Sequence, residues 1–435
     1  MEDLYTFFTF SDPNIRYVVG GSVLLAISSA IVGCFTFLKK KALVGDAVAH
    51  AVLPGICLAF LLSGTKNPVY LIIGAFCTGW LSLVLIDVIK RKSKIKEDTA
   101  IGLILSVFFG VGILLLTMIQ HSGNAAQTGL DSFLFGKAAA LVGTDLMIFS
   151  VISGLLLVGV LMLYKEFALL SFDEHFAKSI GFPVKKLELA LTTFTVLAVV
   201  TGIQAVGVVL MAAMLITPAA AARFWTNKLS VMLILAAIFG AFSGVGGAYI
   251  SYVAPAMPTG PWIVMVISII AICSFFIAPE KGILYRVIRQ RRIKRRFLNE
   301  NILKIFYQLG EKDQIFDAGR TTAQLTEKRP IQQTQLLKGI KHLCKQGYLK
   351  KENSAWSLTK IGTVKGQRIV KLHRLWEVYL TKYLRIAADH VHEDADNIEH
   401  ILTPELEARL EALLDYPQSD PHDSAIPYDH NLKLT

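Results

Sequence analysis

Uninterrupted apolar runs, each long enough to cross a bilayer, recur between Tyr17 and Ala278, and they constrain this chain's fold more than any other feature. A helix rises 1.5 Å per residue, so about 20 apolar residues span the hydrocarbon core. Inside that core every backbone N–H and C=O must be satisfied within the chain, so such a series reads as a helical bundle. The runs are Tyr17–Leu38, Ala47–Ser63, Val69–Ile86, Thr99–Ile119, Leu146–Tyr164, Leu229–Val253 and Pro261–Ala278, together with Leu189–Ala222. That last stretch carries no charge and is too long for one span; Gly202 and Gly207 offer a place to turn, which predicts two short helices. Asp131–Leu141 fits poorly, being short and carrying Asp131 and Lys137, and reads as a re-entrant or surface helix. About nine spans are expected. The first run belongs to a repeating series and has no small-residue cleavage site, so it is not read as a removable leader. The mean hydropathy of +0.52 and a charged fraction of only 18% agree with a membrane protein.

The formal net charge of +11 is concentrated in loops and in a run after the last apolar stretch. Placing Lys/Arg-rich loops on the cytoplasmic side puts Lys39–Lys41, Lys90–Lys96, Lys165–Lys186, Arg223–Lys228 and Lys281 onward inside. Loops near Lys66, His121–Gly129 and Pro255–Gly260 fall outside. The N-terminus is then outside and the C-terminal part cytoplasmic, in a multi-pass chain of a bacterial plasma membrane.

The most informative polar residues inside the apolar series are Asp46 and His50. They stand four apart, on one helical face one turn from each other. A carboxylate with an imidazole suits Mn²⁺, Fe²⁺ or Zn²⁺ better than an organic solute. Pro54 and Gly55 weaken the helix just beyond. Asp46 alone would read as a helix cap and His50 alone as a buried, satisfied histidine. As a pair they favour function, because ionisable groups within membranes are costly and usually face a pathway. Two ligands do not complete a metal site; others must come from elsewhere. Thr217-Pro218 reads as a kink, and Asp87 and Asp131 as interfacial. Cys34, Cys57, Cys77, Cys273 and Cys344 have neither metal-type nor disulfide-type spacing. No Gly-x-x-x-x-Gly-Lys-Ser/Thr occurs, so the chain has no phosphate-cradling loop of the common ATPase type and is not itself expected to be an enzyme.

Gly45-Asp-Ala-Val-Ala-His-Ala-Val-Leu-Pro-Gly55 resembles the signature of the Mn/Zn/Fe ABC permease family. Leu215-Ile-Thr-Pro-Ala-Ala-Ala221 and Asp173-Glu-His-Phe-Ala-Lys-Ser-Ile-Gly181 resemble two further segments of it. The resemblance covers about residues 10–280. It implies an all-α polytopic membrane protein of eight to nine transmembrane helices, a translocation path lined by Asp46 and His50, and permease homodimers. It also implies a separate ABC ATPase and an extracytoplasmic metal-binding lipoprotein as partners. Asp173, Glu174, Ala177 and Gly181 would lie in the coupling helix that docks on the ATPase; the amphipathic character of that segment between two spans fits independently.

After Ala278 the composition changes. Tyr285–Arg296 is a basic helical run, read as a juxtamembrane helix contacting lipid headgroups. Then follow an amphipathic helix at Asn299–Leu309, a capped short helix at Thr321–Thr326, a longer helix at Ile331–Gly347 and a two-stranded wing at Tyr348–Lys351 and Ala355–Thr359. That order is a winged helix-turn-helix. His373-Arg-Leu-Trp-Glu377, Val391–His400 and Asp420-Pro-His422 resemble the iron- and manganese-dependent repressors of the DtxR/MntR type over about residues 299–429, which implies a helical dimerisation-type domain. That resemblance implies two metal sets, His373, Glu377 and His392 in one, Asp396, Glu399 and His400 in the other. The first-helix positions that supply further ligands in those repressors are here Asn301 and Lys304, and lysine is a poor partner for a metal.

The organisation expected is therefore a permease domain at 1–280, a basic helix or linker at 281–298 and a cytoplasmic sensor at 299–435. The function expected is the permease of an ATP-driven importer for Mn²⁺, Fe²⁺ or Zn²⁺, with those ions transported or sensed and no permanently bound cofactor. One alternative is a membrane-anchored metal-dependent transcriptional regulator. DNA is then the partner, disfavoured because a tethered domain must find its operator while anchored. The other is an ion-coupled secondary carrier.

Overall fold

The long apolar runs are helices in the computed structural model, which describes residues 2–65, 67–121, 136, 141–254, 257–384 and 404–428. Contacts divide the chain into two units, Met1–Arg286 and Val287–Thr435.

The first unit begins with a short helix, α1 (Glu2–Phe8), that the apolar pattern does not announce. Phe7 is buried there among Tyr249 and Tyr252, ring centroids 5.2 and 5.7 Å away. Asp12 caps α2 (Pro13–Leu38) by accepting the Asn14 N–H at 2.8 Å, and Pro13 occupies a first-turn position where its missing N–H costs nothing. Ala47–Ser63, expected as one run, is two helices, α3 (Val44–Ala51) and α4 (Leu53–Ser63). They meet at Val52, since Pro54 has no N–H to donate back to the His50 carbonyl. Then come α5 (Pro68–Lys92), capped by Asn67, α6 (Glu97–His121) and α7 (Gly143–Met162).

Between Lys165 and Lys186, placed among the basic cytoplasmic loops, α9 (Glu174–Ser179) forms where a coupling helix is expected, and α8 (Tyr164–Phe172) precedes it unannounced. The uncharged stretch is broken at Gly207, as the glycines predict, into α10 (Val184–Val206) and α11 (Val208–Trp225). Gly207 has φ 91° and ψ 163°, a conformation only glycine adopts without strain. The first of these helices is not short: it starts at Val184, before the charge-free stretch. The unit ends with α12 (Leu229–Val253) and α13 (Thr259–Ile277). Among the described residues eight segments are long and apolar enough to span a bilayer, counting α3 and α4 together, and part of α11 is a shorter apolar helix. Asp131–Leu141 lies outside the described residues except for Gly136 and Leu141.

The bundle is layered. The apolar window of α2 is 72% buried and those of α3–α4 and α10 67%, against 22% for α6 and α13, so the former are central and the latter present their apolar side chains outward. Central packing depends on close backbone approach. A Cβ on Gly33 of α2 would meet the Leu215 carbonyl oxygen of α11 at 1.8 Å, and one on Gly55 of α4 would meet the Gly74 carbonyl oxygen of α5 at 2.1 Å. Such small-residue contacts drive helix association where lipid removes the hydrophobic drive.

The basic run and the amphipathic helix are one continuous helix, α14 (Ile283–Asp313), most of it in the second unit, because no Gly or Pro interrupts it before Gly310. Next are α15 (Thr322–Lys328), started by a capping box of Thr321 and Gln324, and α16 (Gln333–Lys345), ended by Gly347 at φ 77°. The wing pairs β1 (Leu349–Glu352) antiparallel with β2 (Ala355–Leu358) in the register Leu349↔Leu358. Arg320 bridges to Trp356 on its other side. Ile302, Phe306, Leu325, Leu336, Ile340, Leu343, Leu349 and Leu358 form the core of this winged helix. The long α17 (Lys360–Leu384) and α18 (Pro404–Leu413) complete the unit.

Close approach at Gly33 yields a direct prediction. Gly33→Ala lowers the melting temperature of the detergent-solubilised protein by several degrees, an overpacking cost of about 1–3 kcal/mol. Gly102→Ala, where an added Cβ meets nothing within 4 Å, leaves it unchanged.

Candidate functional site

The short helix α3 brings Asp46 in its first turn and His50 in its last to within 3.5 Å, His50 Nε2 to Asp46 Oδ1. Everything else on α3 that packs is small or β-branched: Gly45, Ala47, Val48, Ala49 and Ala51 are all buried. Neighbouring helices come close through glycine. Gly79 of α5 sits against Val48 and Val52, Gly112 of α6 against Leu53, and Gly45 itself against Leu215 of α11. The polar pair is thereby held within a packed bundle, yet its side chains are 39% (Asp46) and 18% (His50) exposed, so neither is sealed into the core. Phe109 of α6 lies edge-to-face with the His50 ring at 4.9 Å. His50 Nδ1 is buried and has no hydrogen-bond partner among the described residues. The carboxylate toward Nε2 and the Phe109 ring against its face hold the imidazole in one orientation. Among the described residues no group of three or more His, Cys, Asp or Glu side chains converges, so as metal ligands the pair would be only part of a set. Asp87 is exposed and paired with Arg91 at 2.9 Å, an interfacial pair.

Asp173 accepts the Phe176 N–H at 2.8 Å and so starts α9. The helix closes with Phe182 N–H donating to the Ala177 carbonyl and Gly181 N–H to that of Lys178, with Gly181 at φ 86°. Ala177 is buried, and Phe176 and Ile180 are half exposed. Sequence reasoning missed what anchors this segment. Lys39, at the end of α2, has its Nζ 2.7 Å from Glu188 of α10 and 3.8 Å from Glu174 of α9. No local signal announces a pair 149 residues apart. Glu174 also accepts from Lys178 at 2.6 Å. That hydrogen bond, followed by the charge of Lys39 despite some burial, holds the Glu174 carboxyl below its ordinary 4.5.

In the second unit α17 places His373 Nε2 2.8 Å from Glu377 Oε1, both deeply buried. They line a cavity of about 520 Å³ shared with Lys304, Arg329, Asp420 and His422. Asn301 accepts from Arg329 at 3.1 Å, and Lys304 is 4% exposed. Imidazole and carboxylate suit a metal; a buried ammonium beside them does not, so the two first-helix positions supply no anionic ligand. His392, Asp396, Glu399 and His400 lie outside the described residues. Arg374, which the sequence did not single out, ties this cavity together: it donates to both Glu311 oxygens at 2.8 and 2.7 Å and to the Ala425 carbonyl at 2.6 Å. Asp420 in turn accepts the His422 and Ser424 N–H groups.

Comparison with known proteins agrees with both parts. Residues 11–278 match the model of the ABC 3 transport family, and residues 359–428 match that of the iron dependent repressor, metal binding and dimerisation domain. The manganese transport system membrane protein MntC of Bacillus subtilis is 42% identical over 404 residues, 92% of each chain. The zinc transport system membrane protein TroC of Treponema pallidum is 45% identical over 287 residues, 65% of this chain and 95% of its own. Among solved structures, PsaBC from Streptococcus pneumoniae in complex with Fab superposes with a TM-score of 0.59 at 35% identity, covering 67% of this chain and 99% of that one.

Removing the α9 cap by Asp173→Ala is expected to speed hydrogen exchange of the 174–179 amides roughly fivefold, the loss of about 1 kcal/mol. The Glu174 contribution has the sign of a depressed carboxyl: present above the ordinary carboxylate pKa and lost as pH falls through its lowered one. Exchange protection of α9 should therefore hold from neutrality down to that range and decline only below it.

Proposed function

Because this chain belongs to the ABC 3 transport family, we propose that it is the permease subunit of an ATP-driven importer for a divalent transition metal, Mn²⁺, Fe²⁺ or Zn²⁺. The observation that carries this is the Asp46–His50 pair, set on a broken helix inside the bundle with one imidazole nitrogen unused. Asp46 and His50 stand in the first two turns of the Val44–Ser63 span, and ionisable groups inside membrane helices face a pathway or a partner because burying them in lipid is costly. Asp46 and His50 lend an incoming ion two ligands and leave the rest to water and to the same pair of a second copy in a permease dimer. Incomplete ligation suits transit, since an ion that must leave again cannot be fully caged. The similarity to MntC over both parts of the chain inclines the substrate toward Mn²⁺.

Hydrolysis of ATP belongs to a separate ATPase, which docks on α9 at Asp173–Gly181. The exposed Phe176 and Ile180 are its apolar contact, and Lys39 passes movement of α9 to α2 and α10 through Glu174 and Glu188. An extracytoplasmic metal-binding lipoprotein delivers the ion on the opposite side. With the basic loops inside, α9 and residues 299–435 are cytoplasmic and the N-terminus is outside. The second unit reports cytoplasmic metal back to transport, through Asp396, Glu399 and His400 and, where the neighbouring Lys304 permits, through His373, Glu377 and His392.

The test is uptake of radioactive Mn²⁺, Fe²⁺ and Zn²⁺ by cells expressing the chain with its ATPase and binding protein. One ion should accumulate in an ATPase-dependent way, and the double variant Asp46→Ala/His50→Ala should reduce that at least tenfold at unchanged expression. Uptake indifferent to the double variant would remove the proposed path, and uptake that needs no ATPase would make the chain a secondary carrier.

A further inference from the structure

The second unit holds a basic cavity that plays no part in the metal chemistry. It measures about 270 Å³, between the middle of α14, the end of α16 and the first half of α17, and is lined by Arg292, Arg295, Arg296, Asn299, His342 and Lys365 among others. Among the described residues Arg296 is the one of its arginines and lysine with a carboxylate partner, Glu300 at 3.0 Å. Arg292, Arg295 and Lys365 have no carboxylate partner among the described residues, and Lys365 is half buried. At its wall Asn299 is only 8% exposed, and its Oδ1 is buried with no hydrogen-bond partner among the described residues.

A buried acceptor without a donor costs about 1–3 kcal/mol, and three unpaired cations around one concavity repel each other; a single ligand can relieve both. It must be an anion, and it must also donate a hydrogen bond. Guanidinium groups match phosphate geometry with paired N–H donors. We propose that this cavity binds a phosphate with a hydroxyl beside its anionic oxygens, on the phosphorus in hydrogenphosphate or on the glycerol in a glycerol phosphate or glycerol-phosphate lipid headgroup. The arginines and Lys365 take the anionic oxygens, and Asn299 Oδ1 accepts from the hydroxyl. In sequence Arg292 lies fifteen residues past Ile277, where the last apolar helix ends, so a headgroup is one source and a soluble phosphate the other.

The chemistry separates phosphate from sulfate, which has the same shape and charge but no proton to give at neutral pH. The experiment uses the full chain in phosphatidylcholine nanodiscs, titrated with inorganic phosphate, glycerol 1-phosphate and sulfate by calorimetry. Phosphate should bind at least tenfold more tightly than sulfate. Arg292→Gln/Arg295→Gln/Lys365→Gln, all on accessible side chains, should abolish binding of both, whereas Lys338→Gln/Lys341→Gln on the same domain should change nothing. Asn299→Ala should bring phosphate down to the level of sulfate while leaving sulfate itself unaltered. Nanodiscs containing phosphatidylglycerol decide the source: loss of soluble phosphate binding there means the headgroup occupies the cavity, and unchanged binding means a soluble ligand does. Equal affinity for phosphate and sulfate in the unaltered protein would overturn the proposal, as would binding insensitive to the triple variant. So would a chain that ignores all three anions yet binds a DNA duplex through the same arginines.

Discussion

The close approach of helix backbones around α3 is the constraint on which the rest depends. Lipid offers no hydrophobic gain for bringing helices together, so the bundle relies on dispersion at short range. Gly33 lets α2 lie against the Leu215 carbonyl, Gly55 and Gly74 bring α4 onto α5, and Gly112 admits Leu53 to α6. With neighbours so tightly apposed, an eight-residue helix with two ionisable groups is held where it would not be stable alone. The break at Val52, forced by Pro54, confines Asp46 and His50 to that short piece and fixes their mutual distance.

From that centre one connection runs outward. On the basic side, Lys39 joins the end of α2 to α10 and α9, so the segment proposed to meet the ATPase is tied by charge to two of the most buried helices. Because Lys39 is largely buried, this contact is less screened by salt than an exposed pair such as Asp87–Arg91. Within the second unit Arg374 plays a comparable part, joining α14, α17 and the 417–428 segment around the His373–Glu377 cavity.

What the sequence made legible is what local chemistry decides. The apolar runs, the break at Gly207, the capping box at Thr321 and the wing after Gly347 all follow from propensity, turn residues and period over a few positions. The Asp46–His50 contact was legible for the same reason, being one helical turn. Helix α1 was not, because Phe7 is held by tyrosines more than 240 residues away. Nor was α8, whose mixed polarity between Lys165 and Asp173 looks like a loop until Phe167 and Leu170 are seen to be buried. Lys39 read as one of three topology-setting lysines, since nothing near it names Glu188. Lys304, by contrast, stood out only against a resemblance; the structure adds that it is buried in the same cavity as His373.

The central claim is that metal crosses through this chain at Asp46 and His50 under the drive of a partner ATPase. The measurement that bears on it most directly is Mn²⁺ accumulation in proteoliposomes holding only this chain, its ATPase and the binding protein, with ATP supplied on the ATPase side. The account predicts Mn²⁺ entry that requires ATP, and in Asp46→Asn/His50→Gln vesicles ATP hydrolysis that continues while entry stops. Entry at an undiminished rate in those vesicles, or entry without ATP, would contradict it.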